Sequence, residues 1–91
     1  MIDLVSIFDS LSNPIRMDIL LIISNKNLTA GEIASHFKLE KATISYHLSL
    51  LKKSKLITDS RYKNYIYYSI NRDTFVEVIR WLDKFRKIES Y

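Results

Sequence analysis

The chain has 91 residues and a net charge of +4, and its 47% hydrophobic and 26% charged residues are the balance of one folded domain rather than a disordered segment. It contains no cysteine, which excludes disulfides, thiolate metal ligation and thiol redox chemistry. No apolar run comes near the ~18 residues a membrane span needs and no signal peptide stands at the start, so the expected location is the cytoplasm.

Residues 3–12 place Leu4, Ile7, Phe8 and Leu11 at helical spacing, which predicts a short amphipathic helix. Asn13-Pro14 ends it and opens the next, with Asn13 as N-cap and Pro14 at the first helical position. The second helix, Pro14–Ser24, carries Ile19-Leu20-Leu21-Ile22-Ile23 and is apolar on all sides, so it is expected to be central and buried. After the polar turn Asn25-Lys26-Asn27, Thr29 and Glu32 have the spacing of a capping box, opening a third helix that runs to about His36. A turn near Phe37–Glu40 leads into a fourth helix, Lys41–Ser54. Leu56–Ser60 and Tyr65–Ile70 are β-branched and aromatic runs joined by Arg61-Tyr62-Lys63-Asn64, a hairpin in which Asn64 can supply a positive φ. Asn71 or Asp73 caps a last helix over about 73–89. The expected fold is mostly α with a small β-hairpin, four helices, two strands and a fifth helix forming one domain over residues 1–91.

The fourth helix carries the chemistry. At 100° per residue, Ile44, His47, Leu48 and Leu51 fall on one side, with Leu50 at its edge. Opposite lie Ala42, Ser45, Tyr46, Ser49 and Lys53, flanked by Lys41 and Lys52. The second face is small, hydrogen-bonding and rimmed with cations. Such a face can approach base edges in a DNA major groove, where hydroxyls bond to bases or phosphates and Ala42 can touch a thymine methyl. Arg61 and Lys63 at the hairpin tip suit phosphates, with a minor groove in reach. Tyr62 between them either lies along the backbone or is simply an exposed loop residue. Between Lys26 and Lys63 there are eight Lys/Arg against three acids, +5, while the rest of the chain sums to −1. The charge therefore sits where duplex DNA would be read. The whole is read as a winged helix-turn-helix.

These residues carry a family resemblance. Leu11-Ser12-Asn13-Pro14-Ile15-Arg16 with Ile19-Leu20, Thr29–Ala34, Ser45-Tyr46-His47-Leu48 with Leu51, and Tyr67-Tyr68-Ser69-Ile70-Asn71 span nearly the whole chain in the order of the ArsR/SmtB winged-helix repressors. The chain resembles the short, cysteine-free, autorepressor-like members. The resemblance implies a homodimer that represses from a palindromic double-stranded DNA operator and is released by some signal. It also implies that Lys41, Ala42, Thr43, Ser45 and Tyr46 lie on the recognition helix. Two departures stand out. Lys55 occupies a position where the family often has Gly, at a cost of about 1 kcal/mol if the backbone is left-handed there. Glu40 stands where Ser commonly caps the recognition helix, and it brings negative charge toward DNA.

Metal sensing is well known in this family, through thiolates in the third helix or through His and carboxylates on the last. Here the last helix has Asp73, Glu77, Asp83 and Glu89 but no His, and transition metals favour imidazole or thiolate. His36 and His47 are read as structural imidazoles, so no metal and no cofactor is expected. An enzyme is not expected either: there is no Cys nucleophile, one Gly rules out a phosphate loop, and no carboxylates pair in a predicted cleft. The rival reading is a winged helix that docks protein rather than DNA; the +5 balance favours DNA. An inducer or a protein anti-repressor is compatible with the sequence but not readable in it.

The last helix is apolar over too wide an arc to face only its own domain. Phe75, Val78, Ile79, Leu82 and Phe85 form one stripe, and Trp81 and Ile88 widen it. With Leu4, Val5 and Phe8 of the first helix, part of this surface is expected to be buried by a second copy, so that Leu4, Val5, Phe8, Val78, Trp81, Leu82 and Phe85 form the dimer interface. A chain this short buries only about 60–65% of its unfolded surface, so association adds needed burial.

Overall fold

Local capping chemistry sets most of the helix starts. In a computed structural model describing residues 2–86, Asp3 opens α1 (Leu4–Leu11) by accepting from the Ser6 N–H at 3.1 Å. Asn13 opens α2 (Pro14–Ile23), its Oδ1 accepting from the N–H groups of Ile15 and Arg16 at 2.9 and 3.1 Å, with Pro14 first in the helix as expected. Thr29 and Glu32 form the full capping box of α3 (Ala30–Phe37), at 3.1 and 2.9 Å. These bonds satisfy N–H groups that a helix start otherwise leaves free.

A turn with Lys38 in left-handed backbone (φ 57°) joins α3 to α4 (Lys41–Lys53). Helix α4 ends with Lys55 at φ 67°, its N–H bonded to the Lys52 carbonyl while the Leu56 N–H reaches the Leu51 carbonyl, both at 3.0 Å. This is the Schellman closure that glycine favours, so the backbone is left-handed there and Lys55 carries the strain. Lys55→Gly is expected to raise stability by up to about 1 kcal/mol, read as a higher midpoint in urea with unchanged slope.

The sheet differs from expectation in three ways. It has three antiparallel strands, in the order β1 (Leu28–Thr29), β3 (Tyr65–Ile70), β2 (Ile57–Tyr62), where two were predicted. Arg61 and Tyr62 belong to β2 rather than to the loop, which is only Lys63-Asn64. The positive φ falls on Lys63 (57°), not Asn64. The register runs from Ile57↔Ile70 to Tyr62↔Tyr65, and the closing pair of β-favouring aromatics extends the ladder and shortens the loop.

Helix α5 spans Arg72–Asp83, shorter than predicted; Phe85 lies in the turn that follows it, and Ile88 and Glu89 fall outside the described residues. Asn71 is its N-cap position but makes no side-chain cap bond, and Arg72 donates instead to the Ser24 carbonyl at the end of α2 (2.9 Å).

One core holds these elements. Ile7, Ile19, Ile23, Ile33, Ile44, Leu48, Leu51, Leu56 and Ile57 are fully buried in it, drawn from α1, α2, α3, α4 and the entry to β2. Helix α2 is not buried all round, as its composition suggested: Met17 and Leu21 remain 53% and 69% exposed. The neighbouring helices are too few and short to wrap it. Among the described residues no helix is long and apolar enough to cross a membrane.

Candidate nucleic-acid interface

Helix α4 divides as its wheel predicted. Ile44, His47, Leu48 and Leu51 are buried, while Lys41, Ala42, Thr43, Ser45, Tyr46, Ser49, Lys52 and Lys53 are exposed. Glu40 occupies the N-cap position without a side-chain cap bond, so that the first turn lacks the usual hydroxyl cap. Two of the exposed side chains are already engaged. The Ser49 hydroxyl donates back to the Tyr46 carbonyl at 2.7 Å, leaving only its lone pairs for another partner. Lys52 Nζ pairs with Asp59 Oδ2 of β2, also at 2.7 Å. That hydrogen bond, and then the Asp59 charge, hold the Lys52 ammonium above the usual lysine range. The Lys52 charge on the rim of this face is thus compensated by Asp59.

Strand alternation sorts the hairpin. Asp59 faces α4 through Lys52, so Arg61, two residues on, shares that face with its cross-strand partner Ile66. Tyr62 points to the opposite face beside Tyr65, under the Lys63 ammonium, 5.4 Å from the ring centroid. The sequence grouped Arg61, Tyr62 and Lys63 at one tip; β2 separates Arg61 from Tyr62. Tyr62 is an exposed strand residue.

Sequence reasoning missed a cleft of about 350 Å³ between the hairpin and the two helices, lined among others by Gly31, Lys41, Ser45, Ile66 and Tyr68. The alternation Ile66, Tyr68, Ile70 was the available signal, since partial burial of Tyr68 and Ile70 fixes the inward face. Arg16 was missed as well. It is buried, donating from Nε to the Ser10 carbonyl (2.7 Å) and from Nη1 to His47 Nδ1 (3.1 Å). Burial, and secondarily the Arg16 charge, push the His47 pKa below 6.5. His47 is thus the structural imidazole expected, whereas His36 is exposed on α3, its ring edge against Phe37. Among the described residues no three His, Cys, Asp or Glu side chains converge.

The expected dimer surface is only partly free. Val78 is 6% exposed and belongs to its own core with Thr74, and Leu4 packs partly into that core. Val78 sits on the one arc of α5 that meets the domain, so it is removed from the candidate interface. Val5, Phe8, Leu82 and Phe85 are exposed, and half-buried Trp81 lies between the rings of Phe8 (5.6 Å) and Phe85 (5.0 Å).

Asp59 gives the electrostatics a direct handle. Asp59→Asn should free the Lys52 charge, tightening binding to mixed-sequence duplex and steepening the log K versus log[salt] slope by about 0.9. Thermal stability should barely change, because exposed pairs contribute about 0–1 kcal/mol. Titrations at several salt concentrations, with a melting curve on the same sample, check both.

Comparisons with known proteins agree with this geometry. Residues 11–59 match a helix-turn-helix domain model. The transcriptional repressor SdpR of Bacillus subtilis is 39% identical over 80 residues, covering 88% of this chain and 89% of the repressor. The arsenical resistance operon repressor of Staphylococcus xylosus is 31% identical over 71 residues, covering 78% and 68%. The homodimeric winged helix-turn-helix DNA-binding domain of Mb0332 from Mycobacterium bovis, a possible ArsR-family regulator, shares the fold. Its TM-score is 0.74 at 22% identity, over 97% of this chain and 85% of that one. The chain belongs to the ArsR family of winged helix-turn-helix, DNA-binding transcriptional regulators.

Proposed function

We propose that the chain acts as a homodimeric repressor on a palindromic operator in the cytoplasm, with no catalytic step and no metal. The observation that carries this reading is the uncovered outer face of α4, with Lys41, Ala42, Thr43, Ser45 and Tyr46 exposed above a fully buried inner face. In the proposed complex α4 lies in the major groove, its N-terminal half toward the bases. Lys53, Arg61 and Lys63 contact flanking phosphates, and Lys52 does so once released from Asp59. Repression and dimerisation are supported by relatives that are named repressors and by the homodimeric neighbour. The dimer uses Val5 and Phe8 of α1 with Trp81, Leu82 and Phe85, and Leu4 at its edge. Release comes from an inducer or a protein anti-repressor.

Selection from a pool of random duplexes tests this. The reading predicts enrichment of an inverted repeat whose half-site centres lie about 34–36 Å apart, or a multiple of that, one turn of DNA. Enrichment of a single asymmetric site, or of none, contradicts it.

A further inference from the structure

We propose that Arg16 and His47 are positioning residues for operator recognition, tying the reading helix to the end of α1 by a bond that only a neutral imidazole can make. The inference rests on α4 being the reading helix. Arg16 is buried, and among the described residues no carboxylate forms a salt bridge with it. Its charge is held instead by the Ser10 and Asp9 carbonyls, at 2.7 and 3.5 Å, in the last turn of α1, and by His47 Nδ1 at 3.1 Å. Carbonyls at a helix C-terminus carry partial negative charge, which makes that end of α1 a suitable seat for a guanidinium. A second tie runs in parallel, the Ser10 hydroxyl donating to the Leu50 carbonyl at 3.4 Å. Helix α1, which bears Val5 and Phe8, is therefore tied to α4 directly by Ser10 and indirectly through Arg16 of α2. The placement of the reading face relative to the proposed dimer surface passes through Arg16.

Guanidinium only donates, so Nδ1 must offer a lone pair and the proton of His47 must sit on Nε2. A second proton turns Nδ1 into a donor aimed at a cation, and the bond is lost. The groups around His47 offer no compensation. Arg16 faces it from α2 and the Tyr46 ring lies edge-on at 5.4 Å, while the Ser10 and Asp9 carbonyls of α1 are bonded to Arg16 and the Asp9 side chain is exposed. Because its folded-state pKa is lowered, the bond is intact above the ordinary value of 6.5 and is lost as pH falls through the folded-state value.

The test uses the full chain, a duplex that the wild type has enriched from a random pool at about pH 7.5, and a mixed-sequence duplex. From about pH 7.5 down to the lowest pH at which circular dichroism shows the chain folded, the wild-type preference for the enriched duplex should fall about tenfold. His47→Asn keeps an acceptor near the Nδ1 position and does not titrate, so its preference should hold within about twofold across that range. If that variant does not fold, the wild type still decides. Its imidazole nitrogen NMR shifts should show a bare Nδ1 at neutral pH and titrate together with the loss of preference. A flat wild-type profile, a His47→Asn profile that falls like the wild type, or a protonated Nδ1 at neutral pH overturns the inference alone. A chain that enriches no duplex overturns the operator reading and this inference with it.

Discussion

Replacing Val5 and Phe85 together by Asp is expected to give a folded monomer that binds operator at least about 100-fold more weakly than the wild type. In a single chain these residues are 81% and 70% exposed, so charge there costs the isolated domain little beyond the Phe85 contact with Trp81. In an isologous dimer the same residues come from both copies, and each substitution buries two unpaired carboxylates. Separation of the subunits then removes the tether between two reading heads, and the second half-site no longer binds at high effective concentration. Val78 and Leu4 are unsuitable probes, since their substitution would damage the domain's own core. Sedimentation and operator titration on one sample read both effects. A variant that stays dimeric with full affinity would move the interface elsewhere, for instance to exposed Met17, Leu21, Val76 and Ile79 between α2 and α5.

The legible parts of the fold were those written by local chemistry. Asn13-Pro14 and the Thr29–Glu32 box act within four residues, so their helix starts could be read directly. The inward face of α4 was equally readable, because 3.6-residue periodicity names Ile44, His47, Leu48 and Leu51 without knowledge of what they meet. What failed to show depends on distant partners. Strand β1 is two residues long and exists only because Tyr67 and Tyr68 lie beside it. Arg61 and Tyr62 read as loop until β3 extends the ladder to Tyr65. The apolar spacing of the last helix continues past Asp83, where the backbone turns, so Phe85 was assigned to a helix that ends before it. Periodicity and motif place Arg16 and Lys52 on their helices but do not name what they bond. Their partners, Ser10, His47 and Asp59, are brought to them by packing. Of the candidate site, then, the residues of the reading face were legible and their existing engagements were not.

Ser45 and Tyr46 bear most directly on whether α4 reads sequence. Both lie outside the core, Tyr46 at 60% exposure and Ser45 in the cleft beside Ile66, so truncating them should change stability by no more than about 0.5 kcal/mol. If they reach base edges, each contact is worth roughly 1–3 kcal/mol of discrimination at one base pair. Phosphate contacts, by contrast, position the protein and act on every sequence alike. The measurement is a set of titrations of Ser45→Ala and Tyr46→Ala against the selected operator, its single-base variants and a mixed-sequence duplex at one salt concentration. The account predicts that each variant loses preference at particular operator positions while its affinity for the mixed duplex is unchanged. Equal weakening on operator and mixed-sequence DNA would contradict it, and would reduce α4 from a reading helix to a backbone clamp.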